Sequence, residues 1–217
     1  VGYTGAPYLA ASAAARTGCG LVSLGVPESI WPVEAAKCVS AMPFPLPERG
    51  GMLGIRSLPP IQEKLFGCDV LALGPGLGRG EQTARLVWEL LKTEKPVVLD
   101  ADGINALSGH IDLLDARRGR PTVLTPHEVE FARIGGDLSR GDRERAARDF
   151  AMAHGCVLVL KGHRTVTASP EGDVLVNTTG GSGLAKGGSG DVLAGMTAAL
   201  LACRLPAFEA ASCAVYL

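Results

Sequence analysis

PVVLDADGIN, residues 96–105, runs from a short apolar, β-branched stretch straight into two aspartates and a glycine. The apolar part does not alternate with polar residues, which predicts a strand covered on both faces. Four further runs look the same: LVSLGV (21–26), DVLALG (69–74), TVLT (122–125) and CVLVLK (156–161). Between them lie segments with helical spacing. Residues 6–17 are Ala-rich and stop at Gly18; residues 81–92 put Leu86, Leu90 and Leu91 on one side; residues 142–154 end at Gly155. Strands alternating with helices predict an α/β fold, with a mostly parallel central sheet and helices on both faces. One segment breaks the rhythm. HRTVTAS (163–169), PEGD (170–173) and VLVN (174–177) read as a β-hairpin at one edge of the sheet.

Each parallel strand ends in residues able to do chemistry. GPGLGRG follows at 74–80, Asp100 and Asp102 follow at 100–105, Thr125, Pro126, His127 and Glu128 follow the fourth run, and Lys161, Gly162 and His163 the fifth. Singly, these read as helix caps and solvated loop residues. Together they predict one site, because open α/β sheets bind ligands at the carboxyl ends of their strands.

The densest signal is NTTGGSGLAKGGSGD (177–191), followed at once by the apolar VLAGMTAALLAC (192–203). Six of the chain's 29 glycines fall within 180–190, where even spreading gives roughly 1.5. Such a loop opening a helix turns backbone N–H groups toward an anion. Asp191 then falls in the first helical turn, where a carboxylate either caps the helix or acts as a base. Ser189 would cap equally well, and a negative charge beside an anion hole repels phosphate unless it has work to do. Taking a proton from a hydroxyl that attacks phosphorus is such work. Common alternatives fail on spacing: Lys186 precedes the glycine pair, unlike a Walker loop; GPGLGRG is not GxGxxG; and GGSGD misses GxSxG at its last residue.

Composition excludes other classes. Of 217 residues, 47% are hydrophobic and the mean hydropathy is +0.22, so the glycines do not signal disorder. Twenty-one basic residues against 22 acidic ones leave neither a nucleic-acid binder's excess nor an acidic tail. The longest apolar stretch, 192–203, is 12 residues, short of the ~20 that cross a bilayer. The chain opens without a secretory signal pattern. Six cysteines (19, 38, 68, 156, 203 and 213) form no CxxC and lie beside apolar residues, which predicts buried free thiols and a reducing cytoplasm. The four histidines make no HxxxH, so a zinc site from sequence-local ligands is not expected. No linker is visible, which predicts a single domain over 1–217.

On these residues the chain resembles the NAD(P)H-hydrate dehydratase family, nucleotide-dependent repair enzymes of ribokinase-like, three-layer α/β/α fold. The matching stretches are residues 2–28, AMPFPLPE (41–48), ALGPGLG (72–78), VVLDADGINAL (97–107), VLTPHEVEFARI (123–134), VLKGHRTV (159–166) and LAKGGSGDVLAGM (184–196). The resemblance implies that Asp191 is the catalytic base and also touches the hydrated dinucleotide. It places Ala6, Gly76 and His127 along the hydrate site. Lys161, Gly162, His163, Arg164 and Thr165, with Gly187, Gly188, Ser189 and Gly190, fall at nucleotide-binding positions; Asn105 and Glu128 take supporting roles. Thr178 and Gly181-Ser182 stand where the family has prolines, and the family's first strand and last helices lie outside the matched stretches, so truncation at both ends is expected.

The implied reaction restores NADH or NADPH from its hydrate. Phosphorylating the ring hydroxyl makes it a leaving group that the ring nitrogen's lone pair can expel. Lys161 would hold the phosphates of ADP or ATP with Mg²⁺, which Asp100, Asp102 or Glu128 could help position. A likeness to this family also implies a homo-oligomer, a tetramer, sometimes linked to an epimerase. The rival expectations are a ribokinase-like kinase of a vitamin-precursor alcohol, using the same loop and Asp191, and a catalytically silent nucleotide-binding module. With a near-neutral chain, phosphate recognition should rest on loop amides and helix N-termini more than on bulk charge.

Overall fold

The computed structural model describes residues 4–217; the Gly2-Tyr3 start of the first matching stretch lies outside them. In chain order the elements are α1 (Gly5–Arg16), β1 (Val22–Pro27), α2 (Trp31–Lys37), β2 (Ala41–Leu46), β3 (Glu48–Arg49), β4 (Met52–Leu53), α3 (Leu58–Phe66), β5 (Leu71–Leu73), α4 (Glu81–Leu90), β6 (Val97–Leu99), α5 (Asp102–Asn105) and α6 (Asp112–Asp115). There follow β7 (Thr122–Leu124), α7 (Glu128–Arg133), α8 (Arg143–His154), β8 (Val157–Leu160), β9 (Val166–Ala168), β10 (Val174–Val176), α9 (Ser189–Ala202) and α10 (Ala207–Tyr216). Short 3-10 turns lie at Ile55–Ser57 and Ser182–Leu184.

The central sheet has the order β10-β9-β8-β7-β6-β5. β5 to β8 run parallel, while β9 and β10 form the expected antiparallel hairpin at the edge. Strand periodicity sorts the side chains onto two faces. Val97, Leu99, Leu124, Leu158 and Leu160 pack with Leu86, Leu90, Phe131 and Phe150 on one face. Val98, Val123, Val157 and Val159 pack with Ala194, Ala198, Leu201, Ala210 and Ala211 on the other. Both faces are therefore dry, which is why these strands lack polar alternation.

Two contacts fix the layers. A Cβ on Gly195 of α9 would sit 2.0 Å from the Ala10 carbonyl of α1, so this glycine sets how closely the two helices approach. Arg117, only 1% exposed, donates to the carbonyls of Leu91, Thr93 and Lys95 and to Thr122 Oγ1, at 2.7 to 2.9 Å. It thereby satisfies the orphan carbonyls between α4 and β6. Burial, with Arg120 nearby, lowers its pKa to about 10, so it stays charged at neutral pH.

Two expectations change. LVSLGV does form β1, but β1 pairs with β2 in a separate parallel pair, not with the central sheet. β1 and β5 face each other across an apolar cavity of about 650 Å³ lined by Val22, Leu24, Leu71 and Leu73. β2 carries Pro43 and Pro45; two residues apart, both aim their missing N–H away from β1, so the prolines sit on an outer edge. Of the six cysteines only Cys156 is buried, in the core; Cys203 and Cys213 are exposed. Apolar sequence neighbours do not bury a thiol on the outer face of a helix.

Candidate active site

The register of β6, β7 and β8 brings their carboxyl ends side by side. Asp100, Thr125 and Lys161 follow directly. Asp100 is 2% exposed, and one of its oxygens accepts both the Thr125 hydroxyl and the Lys161 amine at 2.7 Å. The Lys161 amide donates to the Pro126 carbonyl at 2.8 Å, extending the parallel ladder by one rung and aiming the side chain back across the edge. A carboxylate this buried needs such partners, since an unpaired buried charge costs several kcal/mol (on the order of 3 to 5).

The glycine loop brings α9 onto this ion pair. Gly188 adopts a left-handed φ of +94°, and its Cα approaches Leu9 of α1, so a side chain here would be both strained and clashing. A Cβ on Gly190 would lie 3.2 Å from Lys161 Nζ and 3.8 Å from Asp100 Oδ2. The backbone of the first helical turn thus rests on the charged pair. Asp191 follows, and among the described residues its carboxylate accepts no hydrogen bond. Burial and the neighbouring Asp100 charge raise its pKa above the ordinary carboxylate range, with Lys161 opposing them. An uncommitted carboxylate with raised proton affinity, at a helix start rich in free N–H groups, can accept a proton beside a phosphate. Ser189 does not cap the helix as the sequence allowed. The N-cap is Gly188, and Ser189 Oγ is buried with no partner among the described residues.

The other predicted residues distribute around this centre. Ala6 lies in the first turn of α1, above the start of α9 through Leu9. Gly76 has φ +73° in the loop after β5, which is locked to β6: a Cβ on Gly74 would sit 1.6 Å from the Asp100 carbonyl. His127 caps α7 through Nδ1, which accepts from Val129 and Glu130 N–H, and its Nε2 faces Glu130 Oε1 at 3.4 Å. Gly187 is exposed at the loop's tip. Lys161, Gly162, His163, Arg164 and Thr165 form a tight turn with Gly162 at φ +155°, Arg164 at φ +56°, and the Thr165 hydroxyl on the Gly162 carbonyl.

Arg143 shapes that turn, and the sequence did not single it out. Its guanidinium donates to the carbonyls of Leu160, Lys161 and His163 at 2.8 to 3.2 Å. In the charged start of α8 it looks like one of several solvated arginines; only the tertiary fold aims it. Glu128 lies 3.2 Å from Arg143 Nε, and Asn105 bonds Asp102 and Arg133, so neither reaches Asp191 directly. The three carboxylates expected to position a metal are committed elsewhere: Asp100 to Lys161, Asp102 to Gly78 and Arg79, Glu128 to Arg143. Among the described residues these carboxylates do not come together in one metal-binding group.

A family model described as NAD(P)H-hydrate dehydratase matches residues 1–217 in full. The chain belongs to the NAD(P)H-hydrate dehydratase family. It is similar to the bifunctional NAD(P)H-hydrate repair enzyme of Moorella thermoacetica, 44% identical over 100% of this chain and 42% of that protein. The chain thus spans less than half the length of such curated relatives. Among solved structures, the ADP/ATP-dependent NAD(P)H-hydrate dehydratase of Bacillus subtilis, co-crystallised with ATP and Mg²⁺, is 33% identical with a TM-score of 0.74, covering 98% of this chain and 74% of that one. A ribokinase-like protein of Enterococcus faecalis is 26% identical with a TM-score of 0.82, covering 99% and 72%. The fold is ribokinase-like, in three α/β/α layers, as the family resemblance implied.

Proposed function

We propose that the chain carries the nucleotide-dependent dehydration that returns hydrated NADH and NADPH to their reduced forms. The observation that carries this is the uncommitted Asp191 carboxylate, held at the start of α9 against the Lys161–Asp100 pair. The ring hydroxyl, lying along Ala6, Gly76 and His127, gives its proton to Asp191 as its oxygen attacks the terminal phosphorus of the nucleotide. The bond from that phosphorus to the nucleotide breaks, and the amides at the start of α9, those of Gly188 and Gly190 beside Ser189, stabilise the transferring charge. The ring nitrogen's lone pair then expels phosphate, and loss of a proton from the adjacent ring carbon restores the double bond. Lys161 stays beside the phosphates as a fixed positive charge, while Gly162, His163, Arg164, Thr165 and Gly187 line the nucleotide, their turn set by Arg143. Asn105 and Glu128 act at one remove, through Asp102, Arg133 and Arg143.

Magnesium would come with the nucleotide and supply charge neutralisation at its phosphates, which Lys161 would help hold. ADP is the preferred donor. Both apolar clusters share one sheet, which supports treating 1–217 as one dehydratase domain. It works as a cytoplasmic homo-oligomer of four copies beside a linked epimerase; free thiols and exposed apolar side chains such as Val39 and Phe66 support the first two features. The partners are hydrated dinucleotide and adenine nucleotide, with no role for nucleic acid or membrane.

Incubation with NADH hydrate and either ADP or ATP tests the proposal. The expected outcome is return of NADH absorbance with release of one phosphate per NADH. Phosphorylation that stops at a stable phosphoester, or no return of absorbance, overturns it in favour of a kinase or a silent binding module.

A further inference from the structure

Two arginines stand outside the chemistry described above. The loop carrying Gly76 continues through Gly78, Arg79 and Gly80 into α4 and borders a second cavity, of about 310 Å³, which Asp102, Asn105 and Arg133 also line. Asp102 organises it. One carboxylate oxygen accepts the Gly78 amide at 2.9 Å; the other accepts Arg79 Nε and Asn105 Nδ2, each at 3.1 Å. Asn105, oriented in this way, turns its Oδ1 to Arg133 Nη1.

The guanidinium groups are left mostly unspent. Among the described residues Arg79 uses only Nε and Arg133 only Nη1, and Arg133 has no carboxylate within 4.0 Å. Glu81 at the rim is taken by Arg85 at 2.6 Å. Two guanidinium forks therefore border one cavity whose two carboxylates are both engaged, Asp102 by three donors and Glu81 by Arg85. Planar forks of this kind match phosphate oxygens in pairs.

Position identifies whose phosphate. Asp102 lies two residues beyond Asp100, and Gly78 two residues beyond Gly76, so the cavity is the next station along the same sheet edge. It lies on the β5–β6 side of Asp191, whereas the turn at Lys161–Thr165 lies on the β8 side. A hydrated dinucleotide with its ring hydroxyl at Asp191 and its body along Gly76 extends its nucleotide arm this way. That arm carries a pyrophosphate and, in the NADPH form, a further phosphate on the adenosine ribose. We infer that Arg79 and Arg133, held by Asp102 and Asn105, form a phosphate subsite for the nucleotide arm of the hydrated dinucleotide; this rests on the dehydratase proposal.

The test needs no turnover. With the nucleotide site filled by a non-hydrolysable ATP analogue, NADPH and NADH are titrated calorimetrically into wild type, Arg79→Ala, Arg133→Ala and Arg133→Lys. Each alanine variant is expected to weaken dinucleotide binding on the order of tenfold, with partial recovery in Arg133→Lys, which keeps the charge but not the fork. A loss confined to NADPH assigns the ribose phosphate, and a loss common to both assigns the pyrophosphate. Equal affinities across wild type and both alanine variants overturn the subsite, as does a matching loss of affinity for the ATP analogue. If wild type binds neither dinucleotide, the substrate proposal itself falls and takes the subsite with it, an outcome distinct from failure on the variants alone.

Discussion

In the proposed reaction Asp191 ties proton affinity to turnover. Because burial and Asp100 raise its pKa, the ionised form that the proposed base requires is held at a cost to the fold. The sign follows from linkage: the stability penalty is present above the folded pKa and is relieved as pH falls through it. The rate moves the opposite way, since only the ionised carboxylate takes a proton. The acid limb of kcat/KM should therefore lie above the ordinary aspartate value of about 3.9. Asp191→Asn should lose on the order of 10² to 10⁴ in kcat, abolish that limb and melt no lower than wild type at neutral pH. A variant that turns over as fast as wild type, or a wild-type limb at or below the ordinary value, removes Asp191 as the base. Its place in a first helical turn was legible because GGSGD joins a glycine cluster to an apolar helix. Arg143 was not, because its partners are three backbone carbonyls some 20 residues away, and carbonyls leave no mark in a sequence.

At the scale of elements, what could be read were the apolar strands: β6, β7 and β8 are buried on both faces, while β5 exposes Ala72. β5, β6, β7 and β8 announce themselves by unbroken apolar runs, and their polar ends announce the candidate site's edge. β2 stayed hidden because Pro43 and Pro45 read as breakers; an outer edge tolerates them where the inside of a sheet does not. The exposed cysteines went astray for a related reason: one-dimensional neighbours say little about which side of a helix faces out. The most extensive element contact, α1 on α9, was likewise invisible, yet it seats Leu9 over Gly188. Gly195→Ala would put a methyl against the Ala10 carbonyl, where backbone, not a flexible side chain, must yield. We expect a loss of about 3 kcal/mol in chemical denaturation, with turnover falling too as α1 lifts from the glycine loop. Unchanged stability would mean that the helices are not packed as described.

Across the whole molecule, the two flanks of the site differ in how much of their shape exists beforehand. On the side proposed for the dinucleotide, Gly74 presses on the Asp100 carbonyl and Gly103 on that of Leu73, so the loops after β5 and β6 form one locked body. On the side proposed for the nucleotide, residues 181–187 are all exposed, and Cβ atoms added at Gly181, Gly183 or Gly187 would meet nothing within 4 Å. One flank is a mould, and the other is an open loop whose tertiary contacts a bound ligand would have to supply. Ordering a backbone residue costs about 1 to 2 kcal/mol in entropy, so the two ligands should carry opposite calorimetric signatures. Nucleotide binding should be enthalpy-driven against an unfavourable entropy, while dinucleotide binding escapes most of that penalty; equal entropies for the two would contradict this. In the proposed reaction the glycine-rich loop would thus make phosphoryl-donor affinity the temperature-sensitive half, and warming should raise the KM for nucleotide before it touches that for the hydrate.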